Sequence, residues 1–140
     1  MTGSDRIIRA GDERLIVSPK TLLVDDEPDL VATCVRLLGQ IGHRCLTAGT
    51  GREAMGLIDA EHPDLVVTDL RLPTIDGLAI ARHARQASPP PVVILTTGFT
   101  SREGKREAER AGATLYLPKP FSATEFLDAV RWALTARGQP

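Results

Sequence analysis

Five short apolar runs, each followed by a turn and a segment of helical character, constrain this chain more than any single residue does. The runs are Thr21-Leu22-Leu23-Val24, His43-Arg44-Cys45-Leu46-Thr47-Ala48, Asp64-Leu65-Val66-Val67-Thr68-Asp69, Pro91-Val92-Val93-Ile94-Leu95 and Ala113-Thr114-Leu115-Tyr116-Leu117. The compact runs are apolar at consecutive positions, the mark of strands covered on both faces. Strand and helix alternating five times then predict an α/β domain with a parallel sheet and helices on either side. Ahead of the first run, residues 1–19 read as an arm of mixed charge, flexible or adding a short edge element, closed by Ser18-Pro19.

The helical segments carry their own punctuation. Pro28 suits a first helical turn, and Leu30, Val31, Cys34, Leu37, Leu38 and Ile41 recur at three- and four-residue steps until Gly39 and Gly42. Arg52 to Glu61 predicts a second helix with Ala54, Leu57 and Ile58 inward, and Gly77 to Gln86 a third, stopped by Ser88-Pro89-Pro90-Pro91. Ser101 to Arg110 has helical propensity but almost no apolar face and an interior glycine, so a short or mobile helix is expected. Ser122 and Glu125 have the spacing of a capping box, and Phe121 and Phe126 that of a hydrophobic staple. Phe126, Val130, Ala133 and Leu134 form an inner stripe that leaves Trp132 on the outer side.

At 140 residues the chain is expected to be one domain with a sufficient core, and a formal charge of −1 offers no global attraction to nucleic acid or to an anionic membrane. Any binding must be local. Cys34 and Cys45 have neither metal-knuckle nor redox-pair spacing and read as core thiols. The N-terminus lacks the apolar run of a signal peptide, and no stretch approaches the ~20 apolar residues of a membrane span. A cytoplasmic protein is the expectation.

Function is suggested by what the strands end on. Four of the five finish on a polar group: Asp25-Asp26, Asp69, Thr96 and Lys119. In a parallel sheet these ends share one edge, the edge where ligands bind in open α/β folds. Crowded carboxylates repel one another unless cations intervene, and a hard divalent ion with one lysine would relieve them. Asp69 closes its strand before the loop Leu70-Arg71-Leu72-Pro73-Thr74-Ile75-Asp76-Gly77, placing it as a nucleophile able to form an acyl phosphate. The Thr96 hydroxyl, with Thr97 as a rival, and the Lys119 ammonium are suited to hold phosphoryl oxygens. Taken singly, each group has an ordinary reading too: the acidic triplet as helix capping, Asp69 as a loop cap, Lys119 as a surface lysine.

Leu23-Val24-Asp25-Asp26-Glu27-Pro28, Val67-Thr68-Asp69-Leu70-Arg71-Leu72-Pro73, Ile94-Leu95-Thr96-Thr97-Gly98 and Tyr116-Leu117-Pro118-Lys119-Pro120-Phe121, in this order, resemble the receiver domain of two-component response regulators. The resemblance covers residues 20–136 and leaves 137–140 as a tail. It implies a flavodoxin-like, doubly wound sheet of strand order 2-1-3-4-5, and a signalling domain rather than an enzyme, one that catalyses only its own phosphorylation and dephosphorylation. By the same likeness Asp69 accepts a phosphoryl group from a histidine kinase or phosphotransfer protein. Asp26, Asp69 and the backbone carbonyl of Arg71 would bind Mg²⁺ or Mn²⁺, with Asp25 acting through water. Thr96 and Lys119 would contact the phosphoryl group, Thr96 and Tyr116 would form the switch, and the Lys119-Pro120 bond would be cis. Tyr116 also reads as a core aromatic with a wet hydroxyl.

The fourth helix, last strand and last helix would be the face for a protein target or homodimer, and Trp132, Arg102 and Arg106 are its candidate residues. The charged segment reads equally as a solvated helix face, and Trp132 as packing on the N-terminal arm. Arg71 and Thr97 depart from the usual family pattern, with consequences for access to Asp69. Two rivals are a receiver-like interaction module that is never phosphorylated and a phosphatase of the haloacid dehalogenase type. The phosphatase wants an acid where Arg71 stands. No DNA-binding output domain is expected after Ala136, which leaves protein contacts, from a stand-alone chain or one domain of a larger regulator or hybrid kinase.

Overall fold

The computed structural model describes residues 18–138. The arm assigned to 1–19 lies outside them except for Ser18 and Pro19, and so do the last two residues of the tail. In chain order the elements are β1 (Lys20–Val24), α1 (Pro28–Gln40), β2 (Arg44–Ala48), α2 (Gly51–Glu61), β3 (Leu65–Asp69), α3 (Gly77–Arg85), β4 (Val92–Thr97), α4 (Arg102–Ala111), β5 (Leu115–Pro118) and α5 (Ala123–Gly138). All strands pair in parallel in the order β2-β1-β3-β4-β5, the flavodoxin-like order expected.

Consecutive apolar residues in the strands serve two separate cores. Leu22, Val24, Val66, Val93 and Leu95 face α2, α3 and α4, packing with Ala54, Ile58, Ile80, Ala84 and Ala108. Leu23, Leu65, Val67 and Ile94 point the other way, onto Cys34 and Leu38 of α1 and Phe126, Val130 and Ala133 of α5. A period of two along each strand thus divides every run between two helical layers. The thiols of Cys34 and Cys45 are free. Burial, then the charge of Asp25 and the neighbouring Cys45, pushes the Cys34 thiol up to about 11, so it stays protonated as an apolar filler.

Two glycines set how closely helices approach the carboxyl edge of the sheet. A Cβ on Gly77 would lie 2.5 Å from the Asp69 carbonyl oxygen, and one on Gly51 would lie 2.5 Å from the Ile75 Cβ. The start of α3 is thereby seated on the end of β3, where the Gly77 N–H donates to the Leu70 carbonyl at 2.9 Å.

Helix ends follow the sequence except at glycines. Gly39 lies inside α1 rather than closing it, and the chain reverses at Gly42, whose φ of 85° suits glycine. The capping box forms as expected: the Glu125 N–H donates to Ser122 Oγ at 3.0 Å and the Ser122 N–H to Glu125 Oε1 at 2.8 Å. Phe121 and Phe126 stack with centroids 5.5 Å apart. α4, expected to be short or mobile, is 10 residues long, against 9 in α3 and 13 in α1. Its buried side chains are only Ala108 and Ala111, and its ends are secured by other means. Ser101 Oγ accepts the Gly104 N–H at 2.9 Å, Gly112 closes the helix at φ 102°, and Arg85 Nη1 donates to the Arg110 carbonyl at 2.9 Å.

Candidate functional site

Parallel pairing brings the polar strand ends together. Asp69 and Thr96 are register partners on β3 and β4, and the Leu70 N–H donates to the Thr96 carbonyl at 2.8 Å. From the far side of β4, the Lys119 N–H donates to the Thr97 carbonyl at 2.7 Å, just before a cis Lys119-Pro120 peptide. Asp25, Asp26 and Asp69 each direct a carboxylate oxygen into a cluster whose atoms lie within 4.8 Å of one another.

One ammonium holds this edge together. Lys119 Nζ donates to Asp25 Oδ2 at 3.0 Å, Asp69 Oδ2 at 3.3 Å and Glu27 Oε1 at 3.3 Å. Burial pulls the pKa of Lys119 down, but the hydrogen bond and charge of Asp25, followed by Asp69, outweigh it and hold it above the ordinary lysine value. For Asp69, burial is the leading cause and raises the pKa, with the charge of Asp25 adding to it. Lys119 and the Arg71 N–H oppose without cancelling the rise. That N–H donates to Asp69 Oδ1 at 3.3 Å.

The three carboxylates are not equivalent. Asp25 is buried, with Oδ1 accepting the Glu27 N–H at 2.9 Å and Oδ2 occupied by Lys119. Asp26 is exposed and, among the described residues, has no hydrogen bond to its carboxylate. An all-oxygen set with one unengaged carboxylate suits a hard divalent cation that keeps several waters, as Mg²⁺ does.

The hydroxyls separate clearly. Thr96 is buried next to Asp69 and its hydroxyl donates to the Thr68 carbonyl at a long 3.4 Å. Thr97, its rival, accepts the Phe99 N–H and donates to the Phe99 carbonyl, both at 3.1 Å, so its hydroxyl is committed to the loop. Tyr116 is half-buried and points its hydroxyl at the Phe99 carbonyl, 3.5 Å away. A Cβ on Gly104 would stand 3.0 Å from that hydroxyl, so the interior glycine of α4 makes room for it.

Two members of this neighbourhood escaped the sequence reading. Glu27 shares Lys119, and its signal was its place in the acidic triplet. Phe99 follows β4, is 64% exposed and carries the Arg71 guanidinium 5.3 Å above its ring. An aromatic in the loop after a polar strand end was the available clue. Arg71, Phe99, Arg102, Arg106 and Tyr116 line a groove of about 560 Å³ beside Leu70. Trp132 is 56% exposed on α5 and is not among the groove's residues.

The family model for the response regulator receiver domain matches residues 21–131. The chain belongs to the response-regulator receiver family. The positive alginate biosynthesis regulatory protein of Pseudomonas aeruginosa is 39% identical over 115 residues, which are 80% of this chain and 46% of that protein. The transcriptional regulatory protein PdtaR of Mycobacterium tuberculosis is 32% identical over 125 residues, 89% of this chain and 60% of that one. The chain thus spans about half the length of these curated relatives. A CheY-like receiver domain protein from Methanospirillum hungatei superposes with a TM-score of 0.81 at 26% identity, over 86% of this chain and 96% of that one. Receivers are signalling domains of two-component systems that interact with histidine kinases, and the acidic cluster here could hold a metal ion. Among the described residues no helix is long and apolar enough to cross a membrane.

Proposed function

We propose that Asp69 accepts a phosphoryl group from the phosphohistidine of a histidine kinase or phosphotransfer protein, and that the product biases the domain toward a conformer that binds a protein partner. The observation that carries this is the cluster of Asp25, Asp26 and Asp69 carboxylates, two of which, Asp25 and Asp69, share a single ammonium, Lys119. A carboxylate oxygen of Asp69 forms the bond to phosphorus while the donor's P–N bond breaks, its electron pair leaving on the imidazole. Asp26, Asp69 and the Arg71 carbonyl would hold Mg²⁺ or Mn²⁺, with Asp25 acting through water. When bound, the ion supplies positive charge against the phosphoryl oxygens.

Lys119 is positioned to follow the phosphoryl group, because it already donates to the carboxylate on which the acyl phosphate would form. Thr96 has only a long hydrogen bond to give up before turning toward it. A phosphoryl group adds about −1.5 to −2 charges at neutral pH, and contacts made to it by one conformer shift the population. Tyr116 beside Gly104 would follow Thr96, and the readout face would be α4, β5 and α5 in a cytoplasmic setting, for a protein target or a second copy of the chain.

The test is incubation with Mg²⁺ and acetyl phosphate or beryllofluoride. A mass gain of one phosphoryl group, a change in Trp132 fluorescence, and loss of both in Asp69→Asn are expected. Silence of both signals in the parent chain is the outcome of a receiver-like module that is never phosphorylated.

A further inference from the structure

Phe99 and Trp132 are the exposed large hydrophobic residues among those described, and Phe99 alone sits beside the acidic edge. Its backbone N–H and carbonyl are both held by the Thr97 hydroxyl, and its carbonyl also receives the Tyr116 hydroxyl. The loop that carries the ring is therefore anchored. Over the ring lies the Arg71 guanidinium, within the ~6 Å over which a cation is attracted to an aromatic face. The backbone of Arg71 is tied to Asp69 Oδ1. One side chain thus spans from the nucleophile's own loop to the loop after β4.

Among the described residues nothing anionic claims this guanidinium. Glu103 and Glu107 line the same groove, yet among the described residues no carboxylate forms an ion pair with Arg71. Lys119, by contrast, is already divided among three carboxylates. A phosphoryl group on Asp69 would add charge where the engaged side-chain cation is oversubscribed and a free one stands two residues away.

We propose that Arg71 is a second cationic ligand of the phosphoryl group, kept in reserve on the Phe99 ring until Asp69 is modified. The inference rests on the phosphoacceptor reading. An exposed cation–π contact biases a side chain by about two- to fivefold, whereas a hydrogen bond to a charged group biases it by roughly ten- to a hundredfold. The guanidinium therefore leaves the ring when the phosphoryl group arrives. Departure uncovers the Phe99 face and releases the stack joining the two loops, at the residue whose carbonyl holds the Tyr116 hydroxyl. Phosphorylation is thereby reported to the groove through Arg71 as well as through Thr96.

The chain has three phenylalanines and one tyrosine, so fluorinated analogues give three and one resonances, with Phe99 assigned by its loss in Phe99→Leu. In the parent chain, beryllofluoride with Mg²⁺ is expected to move the Phe99 resonance. In Arg71→Ala it should stand displaced from the start and respond little. The phosphoryl half-life should fall about tenfold in Arg71→Ala, while Phe99→Leu, which frees the guanidinium, should not shorten it. A Phe99 resonance that stays still while that of Tyr116 responds overturns the proposal, as does equal shortening of the half-life by both substitutions. If neither resonance responds and no mass is gained, the phosphoacceptor reading fails first, and this inference with it.

Discussion

Asp25, Asp69 and Glu27 share the Lys119 ammonium at 3.0, 3.3 and 3.3 Å, and no second lysine or arginine is ion-paired with them among the described residues. Removing that ammonium leaves Asp25 and Asp69, both buried, to repel each other. Lys119→Met is therefore expected to lower stability by about 1–3 kcal/mol at neutral pH, measured by urea unfolding without divalent ions. Adding Mg²⁺ should recover part of the loss. Because the folded-state pKa of Lys119 is raised, its contribution is fully present below the ordinary lysine value and disappears only as pH climbs through the raised one. Asp25, Asp69, Thr96 and Lys119 were legible from the sequence because each closes an apolar run, and the runs of a parallel sheet end on one edge. The contact of Arg71 with Phe99 was not. Both residues lie in loops, where no period states which way a side chain points.

At the level of elements, α4 shows how a weak sequence pattern still makes a helix. Its apolar contribution is two alanines, and caps at Ser101 and Gly112 with the Arg85 clasp take the place of a packed stripe. The interior glycine that argued for a short element has a different reason, the Tyr116 hydroxyl lying where a Cβ would crowd it. Gly104→Ala would gain up to about 1 kcal/mol of helix propensity, offset by that crowding. The expected outcome is little change in the unfolding midpoint together with a displaced fluorotyrosine resonance in the unphosphorylated chain. A clear rise in stability with an unmoved resonance would show that the added methyl does not crowd the tyrosine and that α4 and the switch are not coupled through this position.

Across the whole molecule, the edge opposite the acidic site carries a pH response of its own. His43, between α1 and β2, shares a hydrogen bond of 2.9 Å with Thr21 Oγ1 at the start of β1. Burial lowers its pKa, and the charge of Asp64 opposes without reversing the shift. The unfolded chain then takes up a proton that the folded chain resists, so stability is complete above the ordinary histidine value and declines as pH falls through the lowered one. Urea midpoints followed from about pH 8 to pH 5 should drop, and His43→Gln should flatten that part of the curve. The five strands, the two-sided cover, the capping box and the identity of the charged strand ends all follow from local pattern: periodicity and turn chemistry are properties of neighbours in sequence. Which carboxylate takes the lysine, which of two adjacent threonines is free to turn, and where Arg71 rests were decided in three dimensions. Each is a competition between groups distant along the chain, settled by distances that exist only once β1, β3, β4 and β5 lie side by side.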